Sequence, residues 1–452
     1  MREMKDSGIE WIGKIPRHWI YPKITYILDT EHEYPIGDGD HGTIKADNYV
    51  QEGIPFIRVQ NLGFATPLRL DDVVYITKKQ NITIKNSTLK PDDILFAKTG
   101  ATIGKVGIVP KELLISNTTS HVGKITVNKK IIVPRFLFYA LSSTVGYKLL
   151  WDIAGQKSTR PELSIEEIKR LHIILPDSLQ EQQTIVDYLD AKCADIDSLT
   201  ADIQKQINIL KEYKKSVITQ AVTKGLDPDV EMKDSGIEWI GMIPSKWNIG
   251  KIKSYVDKVG SGKTPKGDNT LYTKGKILFL RSQNVYNTGI ILDDPPTVIT
   301  DAIDKELSNT RVITDDVLLN ITGGSIGRCC IYNLEKKANV NQHVSIIRMK
   351  KDKMLSGYMH YFWISDLGQT AINLYQTGGN REGMSASAIK NTPIPFMPIW
   401  EQQAIIDFLD SKCADIDAII SGKQKQLDVL KEYKKSLIYE YVTGKKEVPC
   451  RE

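Results

Sequence analysis

Two matched stretches of this chain place polar side chains directly after an apolar run. IPFIRVQN covers residues 54–61, and ILFLRSQN covers residues 277–284. Arginine suits guanine, and asparagine and glutamine suit adenine, because each can make paired hydrogen bonds to the edge of that base. We therefore predict DNA contacts for the polar residues of both stretches, which are Arg58, Gln60 and Asn61, and Arg281, Gln283 and Asn284. The alternative is that these residues only form the turn after a strand.

A second matched pair of stretches combines glycines with hydroxyl and basic side chains. KTGATIGK covers residues 98–105, and NITGGSIGR covers residues 320–328. Glycine lets the backbone come close to a phosphate group, and lysine or arginine supplies positive charge. We predict that the loops contact DNA through Lys98, Thr99 and Lys105, and through Asn320, Thr322 and Arg328. A purely structural hairpin would favour the same glycines.

Histidine and cysteine form no metal or redox motif in the sequence. His121 and His343 stand at matching places in TSHVGKI and NQHVSII, with no carboxylate or cysteine at ligand spacing. We interpret both as core histidines with ordinary hydrogen bonds rather than as metal ligands. The five cysteines include no CxxC pair, so we expect reduced, buried thiols and no metal site.

Three stretches resemble parts of enzyme sites, but none is complete. GSGKT at residues 260–264 resembles a phosphate-binding loop, yet Asp257 occupies the position of its first glycine. DPPT at residues 294–297 resembles the amino-methyltransferase tetrapeptide but lacks the aromatic residue that stacks on a flipped base. PELSIEEIK at residues 161–169 has a nuclease-like set of acids and a lysine but fits a capped helix better. We therefore predict no catalytic residue on this chain.

The composition is that of an ordinary globular protein. The chain has 452 residues, of which 41% are hydrophobic and 25% are charged, and this length predicts two to four domains. The net charge of +5 is too small to establish a nucleic-acid partner by itself. The opening MREMKDSGIEW lacks the apolar core of a signal peptide, and no stretch approaches a membrane span of roughly 18 apolar residues. We expect a cytoplasmic location and no membrane partner.

The sequence blocks that flank the segments with these residues each occur twice in the chain. MKDSGIEWIGKIPRHW at residues 4–19 recurs as MKDSGIEWIGMIPSKW at residues 232–247, and a longer block that starts at Glu181 recurs from Glu401. The segments between these blocks share only short clusters of letters. Their runs GKVGIV, GKITV, KILFL and VSIIRM predict strands, and the apolar spacing at residues 134–154 and 356–376 predicts helices. Each variable segment is therefore predicted to be a mixed α/β domain.

The longer repeated blocks predict two long helices that pair with each other. In the first, apolar residues recur every seven positions at Leu189, Ile196, Ile203, Leu210 and Val217, with Ile185, Leu199 and Tyr213 at the second seam position. The second repeats this seam as Leu409, Ile416, Lys423, Leu430 and Leu437, with Ile405, Ile419 and Tyr433. Antiparallel pairing would relate the two halves by an approximate two-fold axis, which suits two DNA half-sites. The alternative is that each helix packs only on its own domain.

Taken together, these features closely resemble the specificity (HsdS) subunit of type I restriction-modification enzymes over the whole chain. The resemblance rests on the doubled MKDSGIEWIG-x-IP-x-x-W, the TG-x-x-IG loop of each variable segment, and the EQQ-x-I-x-D-x-LD helix starts. It implies an α+β fold with internal duplication and pseudo-two-fold symmetry, in which two long antiparallel coiled-coil helices join two mixed α/β target recognition domains. We place the first domain at 1–180, the first helix at 181–226, the second domain at 227–400, and the second helix and tail at 401–452.

The resemblance also implies that the chain reads DNA for enzymes carried by other subunits. Each recognition domain would read one half of a split, asymmetric site, and the coiled coil would set the spacer and dock modification subunits. The implied partners are double-stranded DNA, two modification (methyltransferase) subunits and ATP-driven restriction (translocase and nuclease) subunits. We expect no cofactor on this chain, with S-adenosylmethionine, ATP and Mg on the partners. The alternative, a coiled-coil adaptor that binds only proteins, would not need two divergent domains with matching polar loops.

A third pair of polar loops gains weight from the resemblance. AGQKSTRPELS covers residues 154–164 and is answered by TGGNREGMSAS at residues 377–387. Ser164 and Glu167 form a capping-box pattern, so the first loop is predicted to end at a helix start. We assign DNA contacts to the basic and amide residues of these loops, namely Lys157, Arg160, Asn380 and Arg381. The alternative is a solvated loop.

The doubled decapeptide is the candidate surface for a partner that binds both halves. Its apolar residues are Trp11 and Ile12 in the first copy and Trp239 and Ile240 in the second, followed by Ile15 and Ile243. Contact with a partner and packing between domain and helix are equally compatible with this pattern, and both interpretations stay open at this point.

Overall fold

The computed structural model describes residues 2–10, 12–154, 161–265, 275–376 and 383–449 of the chain. Contacts divide the chain into two compact units, of which the first combines Met1–Ile203 with Lys425–Glu452 and the second is Gln204–Gln424. Each unit contains one variable segment and a stretch of both long helices. The division therefore cuts across the helices, whereas our predicted domain boundaries follow the helix ends.

The first variable segment and the hairpin before it form short strands with two short helices between them, and further helices follow the last strand. The strands are β1 (Met4–Asp6), β2 (Lys14–Pro16), β3 (Ile36–Asp38), β4 (Ile54–Ile57), β5 (Val74–Ile76), β6 (Ile94–Ala97), β7 (Val106–Ile108), β8 (Asn117–Thr118) and β9 (Val122–Ile125). The helices are α1 (Ile24–Ile27), α2 (Lys78–Thr83), α3 (Pro134–Ser142), α4 (Thr144–Ala154), α5 (Ile165–Arg170) and the long α6 (Leu179–Lys224).

The second half of the chain repeats this order with more strands. The strands are β10 (Met232–Asp234), β11 (Met242–Pro244), β12 (Asn248–Lys251), β13 (Val256–Ser261), β14 (Ile277–Leu280), β15 (Val285–Tyr286), β16 (Gly289–Ile290), β17 (Val298–Ile299), β18 (Arg311–Val312), β19 (Val317–Asn320), β20 (Cys329–Ile331), β21 (Ala338–Val340), β22 (Val344–Met349) and β23 (Pro393–Phe396). The helices are α7 (Asp301–Glu306), α8 (Ser356–Ile364), α9 (Asp366–Tyr375), α10 (Ala386–Asn391) and the long α11 (Ile399–Val442).

Both variable segments build the same central sheet. In the first unit the strand order is β3-β9-β6-β7, and in the second unit it is β13-β22-β19-β20, with antiparallel neighbours throughout. Leu95 lies opposite Lys124, and Leu318 lies opposite Ile346, so the register matches as well. A smaller sheet in each unit contains one parallel pair, β4 with β8 and β14 with β21. The strands and helices predicted from the apolar runs are confirmed.

The middle strand of each central sheet explains why its sequence does not alternate. Every residue of β6 (ILFA) and of β19 (VLLN) is buried. A strand that is covered on both faces needs a continuous apolar run, because neither face meets water. The covering layer includes α3 in the first unit and α8 in the second, which contribute Phe136 and Phe362 to the two main cores.

The doubled sequence forms a hairpin that packs near the start of a long helix. β1 pairs with β2, and β10 pairs with β11, in identical register. The tryptophan that follows each hairpin is fully buried, and its indole N–H donates to a glutamate in the first turn of the helix. These bonds join Trp19 to Glu181 at 3.0 Å and Trp247 to Glu401 at 2.8 Å. The repeat therefore attaches each domain to a helix in the same way.

The long helices pair antiparallel within each unit. In the first unit the centres of the Tyr188 and Tyr441 rings lie 4.6 Å apart, and Lys434 donates to Asp197 at 2.7 Å. Contacts therefore move toward the start of α11 as they move along α6, which makes the pair antiparallel. In the second unit Lys423 donates to Gln206 at 2.5 Å and Lys214 donates to Asp417 at 2.7 Å. The predicted antiparallel pair is confirmed, and the polar seam residues Lys423 and Gln206 satisfy each other.

The second seam position was predicted wrongly over most of the helix length. Leu199 and Ile419 are 48% and 49% exposed, and Tyr213 and Tyr433 are each 54% exposed, although Ile185 and Ile405 are buried. The buried stripe of α6 continues instead through Cys193 and Ile207. An α-helix with 3.6 residues per turn drifts by about 20° per heptad, so the stripe moves away from a strict seven-residue pattern.

The helices in the described part of the chain are all too short or too polar to cross a lipid bilayer.

Candidate nucleic-acid interface

The first glycine loop is the junction of three separate chain segments. It connects β6 to β7, and Gly100 and Gly104 have positive φ angles of 58° and 92° that glycine adopts without strain. The Lys98 N–H donates to the carbonyl of His121 at 2.9 Å, and the Lys98 carbonyl accepts from Leu163 N–H at 2.9 Å. The fold therefore brings the glycine loop, the turn before β9 and the described end of the third polar loop to one edge of the sheet.

The second unit assembles the corresponding three segments. The Ile321 N–H donates to the carbonyl of His343 at 3.0 Å, and the Ile321 carbonyl accepts from Met384 N–H at 2.9 Å. Thr322 forms a backbone bridge with Gly383, as Thr99 does with Glu162 in the first unit. Two sequences with little identity thus build one arrangement of loops, which confirms that the variable segments share a fold.

The tips of both glycine loops are open on the side where a side chain would lie. A Cβ atom added to Gly100, Gly323 or Gly324 would meet no atom of the described residues within 4 Å, apart from the glycine's own chain neighbours. Gly100 and Gly323 still need glycine for their positive φ angles, whereas Gly324 has neither a close neighbour nor a positive φ angle. Among the described residues no packing depends on its missing side chain, which leaves room for a large ligand to approach the backbone.

The RVQN turn of the first unit is organised around one carboxylate. The Asn61 amide donates to Asp72 Oδ1 at 2.8 Å, and Gln60 donates to Asp72 Oδ2 at 3.0 Å. Arg58 donates to the Asp72 carbonyl at 2.9 Å. Asn61 is fully buried, whereas Gln60 is exposed and Arg58 is half-buried. The asparagine therefore holds the turn together, and the other two side chains are the ones that retain accessible surface.

The RSQN turn of the second unit repeats this design with Asp293. Gln283 donates to Asp293 Oδ1 at 2.9 Å, and Arg281 donates to Oδ2 at 3.0 Å. These hydrogen bonds, led by the one from Gln283, lower the pKa of Asp293 to about 2. Asn284 is buried and donates to the Ile291 carbonyl at 2.9 Å. As in the first unit, the turn-forming interpretation fits the asparagine, and arginine and glutamine remain the candidates for DNA contact.

Each turn lies beside the glycine loop of its own unit. In the first unit the Val106 N–H donates to the Gly63 carbonyl at 2.8 Å, just after the loop and just after the turn. In the second unit Asn320 donates to the Ser282 carbonyl at 2.8 Å. The structure therefore brings the first two groups of predicted DNA-contact residues together in both units.

The basic residues of the glycine loops differ in what they can offer to DNA. Lys98 is only 4% exposed and forms an ion pair with Asp38, so its charge is already balanced inside the fold. Asn320 is also buried. Lys105 and Arg328 are half-buried, and the Arg328 guanidinium lies 4.8 Å from the centre of the Tyr286 ring. Lys105 and Arg328 are therefore the better placed of the predicted contacts.

The two histidines are not core residues, so that prediction was wrong. His121 is exposed and His343 is half-buried, and each lies at the edge of the sheet beside the glycine loop. Thr99 Oγ1 and His121 Nδ1 are hydrogen-bonded at 3.1 Å, and Thr322 Oγ1 and His343 Nδ1 at 2.6 Å. The sequence places both histidines immediately before a strand, where a side chain lies at the sheet edge, and this position was the signal that could have revealed them.

Several predicted residues lie outside the described part of the chain. They are Lys157, Arg160, Asn380 and Arg381 of the third loops, and Trp11 of the decapeptide. The ends of these loops are described. Ser164 Oγ accepts from Glu167 N–H at 3.2 Å and the Ser164 N–H donates to the Glu167 carboxylate at 2.8 Å, so the predicted capping box is confirmed.

The apolar decapeptide residues favour the packing interpretation over partner contact. Ile12 and Ile240 are 2% and 5% exposed and belong to the main cores, whereas Trp239 is half-buried. Among the described residues, one set of side chains has the spacing of metal ligands, namely His18, Asp177 and Glu181. Glu181 already accepts hydrogen bonds from Trp19 and Arg2, so its role at the start of α6 is structural.

Comparison with known proteins agrees with this architecture. The family model of the type I restriction modification DNA specificity domain matches residues 40–209 and 244–429. The MjaVIII type I restriction enzyme specificity subunit of Methanocaldococcus jannaschii is 27% identical over 373 residues, which cover 82% of each chain. The EcoBI specificity subunit of Escherichia coli is 28% identical over 63% of this chain and 60% of its own length.

A solved structure shares the fold. It belongs to a study of complex assembly and conformational transition of the type I R-M system, and it superposes with a TM-score of 0.69 at 13% identity, covering 96% of this chain and 99% of that one. The two family matches fall on the two variable segments, each with part of the following helix. This protein belongs to the family of type I restriction-modification DNA specificity proteins.

Proposed function

We propose that this chain is the DNA-reading subunit of a type I restriction-modification complex and that each variable domain reads one half of a split, asymmetric site. The observation that carries the proposal is the repeated loop cluster. In both units a glycine loop, an arginine–glutamine turn and a histidine meet at one sheet edge on identical strand registers. A fold that is kept while the exposed side chains change is what two readers of different sequences require.

The side chains at the two edges differ enough to read different bases. At the first edge the accessible side chain is the exposed His41, whose Nε2 lies 3.2 Å from Asp38 Oδ1, while Asp38 also pairs with the buried Lys98. At the second edge Lys98 is replaced by the buried Ile321, and the accessible side chain is the exposed Gln342, which is hydrogen-bonded to Thr264. Because hydrogen-bonding side chains discriminate bases by their donor and acceptor patterns, we expect the two half-sites to differ.

The long helices carry a second matched feature, which suits a protein partner. Exposed apolar residues occur at matching positions of the helix pair, at Leu199, Val429 and Tyr433 in the first unit and at Ile419, Ile209 and Tyr213 in the second. By helical periodicity each trio lies on the side of the seam opposite the ion pair of its unit, Lys434–Asp197 or Lys214–Asp417. We name these two trios the helix patches.

The helix patches are the surfaces that we assign to the two modification subunits. Exposed apolar groups that occur twice, in matching positions, favour one kind of partner bound in two copies. The methyl-transfer and ATP-driven steps then belong to the modification and restriction subunits, which would hold S-adenosylmethionine, ATP and Mg. This chain would supply binding and orientation and no reacting group.

The direct test is the methylation pattern that the chain imposes on its modification subunit. The two proteins are co-expressed, and the complex is given a library of random duplexes with S-adenosylmethionine. We expect methylation at one motif with two specified halves and an unspecified spacer, and no methylation by either protein alone. A stable complex whose methylation is independent of sequence would support a protein-binding adaptor instead.

A further inference from the structure

A threonine–histidine pair stands at the glycine loop of both units. Thr99 with His121 and Thr322 with His343 are hydrogen-bonded through the same atoms, Oγ1 and Nδ1, at 3.1 Å and 2.6 Å. The variable segments share few letters, yet this pair occurs in both at the same place. It lies at the edge that the proposed function assigns to DNA.

The fold positions each histidine through one backbone contact and one contact to the ring. The backbone carbonyl of the histidine accepts a hydrogen bond from the loop, from Lys98 N–H in the first unit and Ile321 N–H in the second, at 2.9 Å and 3.0 Å. The threonine holds Nδ1. Each ring therefore has one committed nitrogen and one, Nε2, on the far side of the ring.

Nε2 can make one kind of hydrogen bond in each tautomer of the neutral ring. If the threonine hydroxyl donates to Nδ1, then Nε2 carries the proton and donates; if the hydroxyl accepts, then Nε2 accepts. Phosphate oxygens and guanine edges offer acceptors, and cytosine and adenine amino groups offer donors. In the second unit the Gln342 amide N–H donates to His343 Nε2 at 3.3 Å, so Nε2 is the accepting nitrogen there, and a DNA donor would take the place of the exposed Gln342 amide.

Neither burial nor internal packing explains the two rings. His121 is exposed and His343 is half-buried. A Cβ atom added to the neighbouring Gly100, or to Gly323 or Gly324 in the second unit, would have no atom of the described residues within 4 Å apart from the glycine's own chain neighbours. Neither histidine belongs to the metal-type cluster found among the described residues. A polar ring held at an open edge, twice, is the arrangement expected of a ligand contact.

We propose that His121 and His343 contact DNA through Nε2, each in the half-site read by its own domain, and that Thr99 and Thr322 are positioning residues for them. This inference rests on the proposed function and adds to it two specificity-determining residues. The ligand is a hydrogen-bonding group of double-stranded DNA, either a base edge or a phosphate oxygen.

The experiment uses the complex of the full chain with its modification subunit. His121→Ala and His343→Ala are compared with the wild type by affinity for the methylated duplex and by the motif methylated in a random library. We expect each substitution to weaken binding by about tenfold, the effect of losing one directed contact. A base contact would also relax one half of the motif, a different half for each variant, whereas a phosphate contact would weaken all sequences and leave the motif unchanged.

Matched control variants distinguish the loss of a DNA contact from a general loss of folding. His32→Ala removes a histidine before β3, at the opposite end of the same sheet, and is expected to leave affinity and motif unchanged. Thr99→Ser keeps the hydroxyl and is expected to bind like the wild type, whereas Thr99→Val is expected to lose part of the affinity that His121→Ala loses. If both alanine variants bind and methylate like a wild type that shows a split motif, the inference is wrong. If the wild type itself shows no split motif, the result contradicts the proposed function rather than the role of the histidines alone.

Discussion

At the scale of single residues, the polar side chains near the proposed DNA surface divide into those that build it and those that remain accessible. Asn61 and Asn284 are buried and tie their turns to the neighbouring backbone. Asp72 and Asp293 accept hydrogen bonds from the side chains around them. These bonds hold four side chains in place in the protein without DNA, namely Arg58, Gln60, Arg281 and Gln283. Side chains that are held in place lose less conformational entropy on binding.

The stability of the second turn should depend on the charge of Asp293. Folding lowers its pKa to about 2, from about 3.9 for a free aspartate, so the ionised carboxylate stabilises the folded state at neutral pH. That contribution is present above about pH 4 and is lost as the pH falls through about 2. We expect Asp293→Asn to destabilise the protein at pH 7 and the difference from the wild type to shrink on acidification.

Urea midpoints of the wild type and the variant between pH 7 and pH 3 test this. Asp352→Asn, which changes an exposed carboxylate in a surface turn, is the control and should leave the pH dependence as it is. A constant gap between wild type and Asp293→Asn across the range would contradict the assignment.

At the scale of elements, each recognition domain is fastened to the long helices by the same pair of groups. Tyr139 in α3 donates to Asp190 in α6 at 2.5 Å, and Tyr361 in α8 donates to Asp410 in α11 at 2.5 Å. Burial and the neighbouring carboxylate raise the pKa of both phenols. Asp190 also accepts from Arg135 at 2.6 Å, so the first attachment has a second bond.

Removing the tyrosine hydroxyl should lower the free energy of unfolding more at the attachment of the second domain, Tyr361 to Asp410, than at that of the first, Tyr139 to Asp190. We expect Tyr361→Phe to lower the free energy of unfolding by about 1 kcal/mol, because Asp410 is exposed and water replaces part of the lost hydrogen bond. Tyr139→Phe should cost less, since Arg135 remains bonded to Asp190. Tyr213→Phe alters an exposed hydroxyl and should be neutral. Equal losses for all three in chemical denaturation would contradict this account.

The helix patches should determine how many modification subunits bind. Tyr433→Asp in the first patch and Tyr213→Asp in the second each place a charge on an exposed apolar surface, which disfavours association without disturbing the core. We expect native mass spectrometry to show two bound subunits for the wild type, one for either variant and none for both together. Lys431→Ser and Lys211→Ser, on exposed neighbouring positions, are the controls. Two subunits on the double variant would exclude the patches.

Much of this fold could be predicted from the sequence, and the predictions that were wrong share one cause. Helices, strands and the capping box at Ser164 follow from local periodicity and turn chemistry, so they were predictable. The exposure of Leu199 and Tyr433 depends on the drift of a real helix away from a strict heptad. The exposure of His121 and the burial of Lys98 depend on which strands become neighbours, and a single sequence does not specify that pairing.

At the scale of the whole molecule, duplication allows one fold to serve two different tasks. The doubled hairpins and the Trp19–Glu181 and Trp247–Glu401 bonds repeat almost unchanged, as the attachment of each domain to a long helix requires. The helix patches recur at matching positions, as a surface for identical partners requires. The sheet edges repeat in backbone but differ in side chains, as two different half-sites require. The helix patches, which are nearly the same in both units, are therefore the parts assigned to protein partners. The sheet edges, whose side chains differ, are the parts assigned to DNA.

The most direct measurement is the methylated motif of a variant in which the second variable segment, residues 248–400, is replaced by a copy of the first, residues 20–180. The variant and the wild type are each expressed with the modification subunit, and modified bases are mapped across the host genome. We expect an asymmetric split motif for the wild type, and for the variant a motif in which both halves carry the sequence read by the first domain. An unchanged motif in the variant, or a wild-type map that does not depend on this chain, would contradict the claim that each domain reads one half-site.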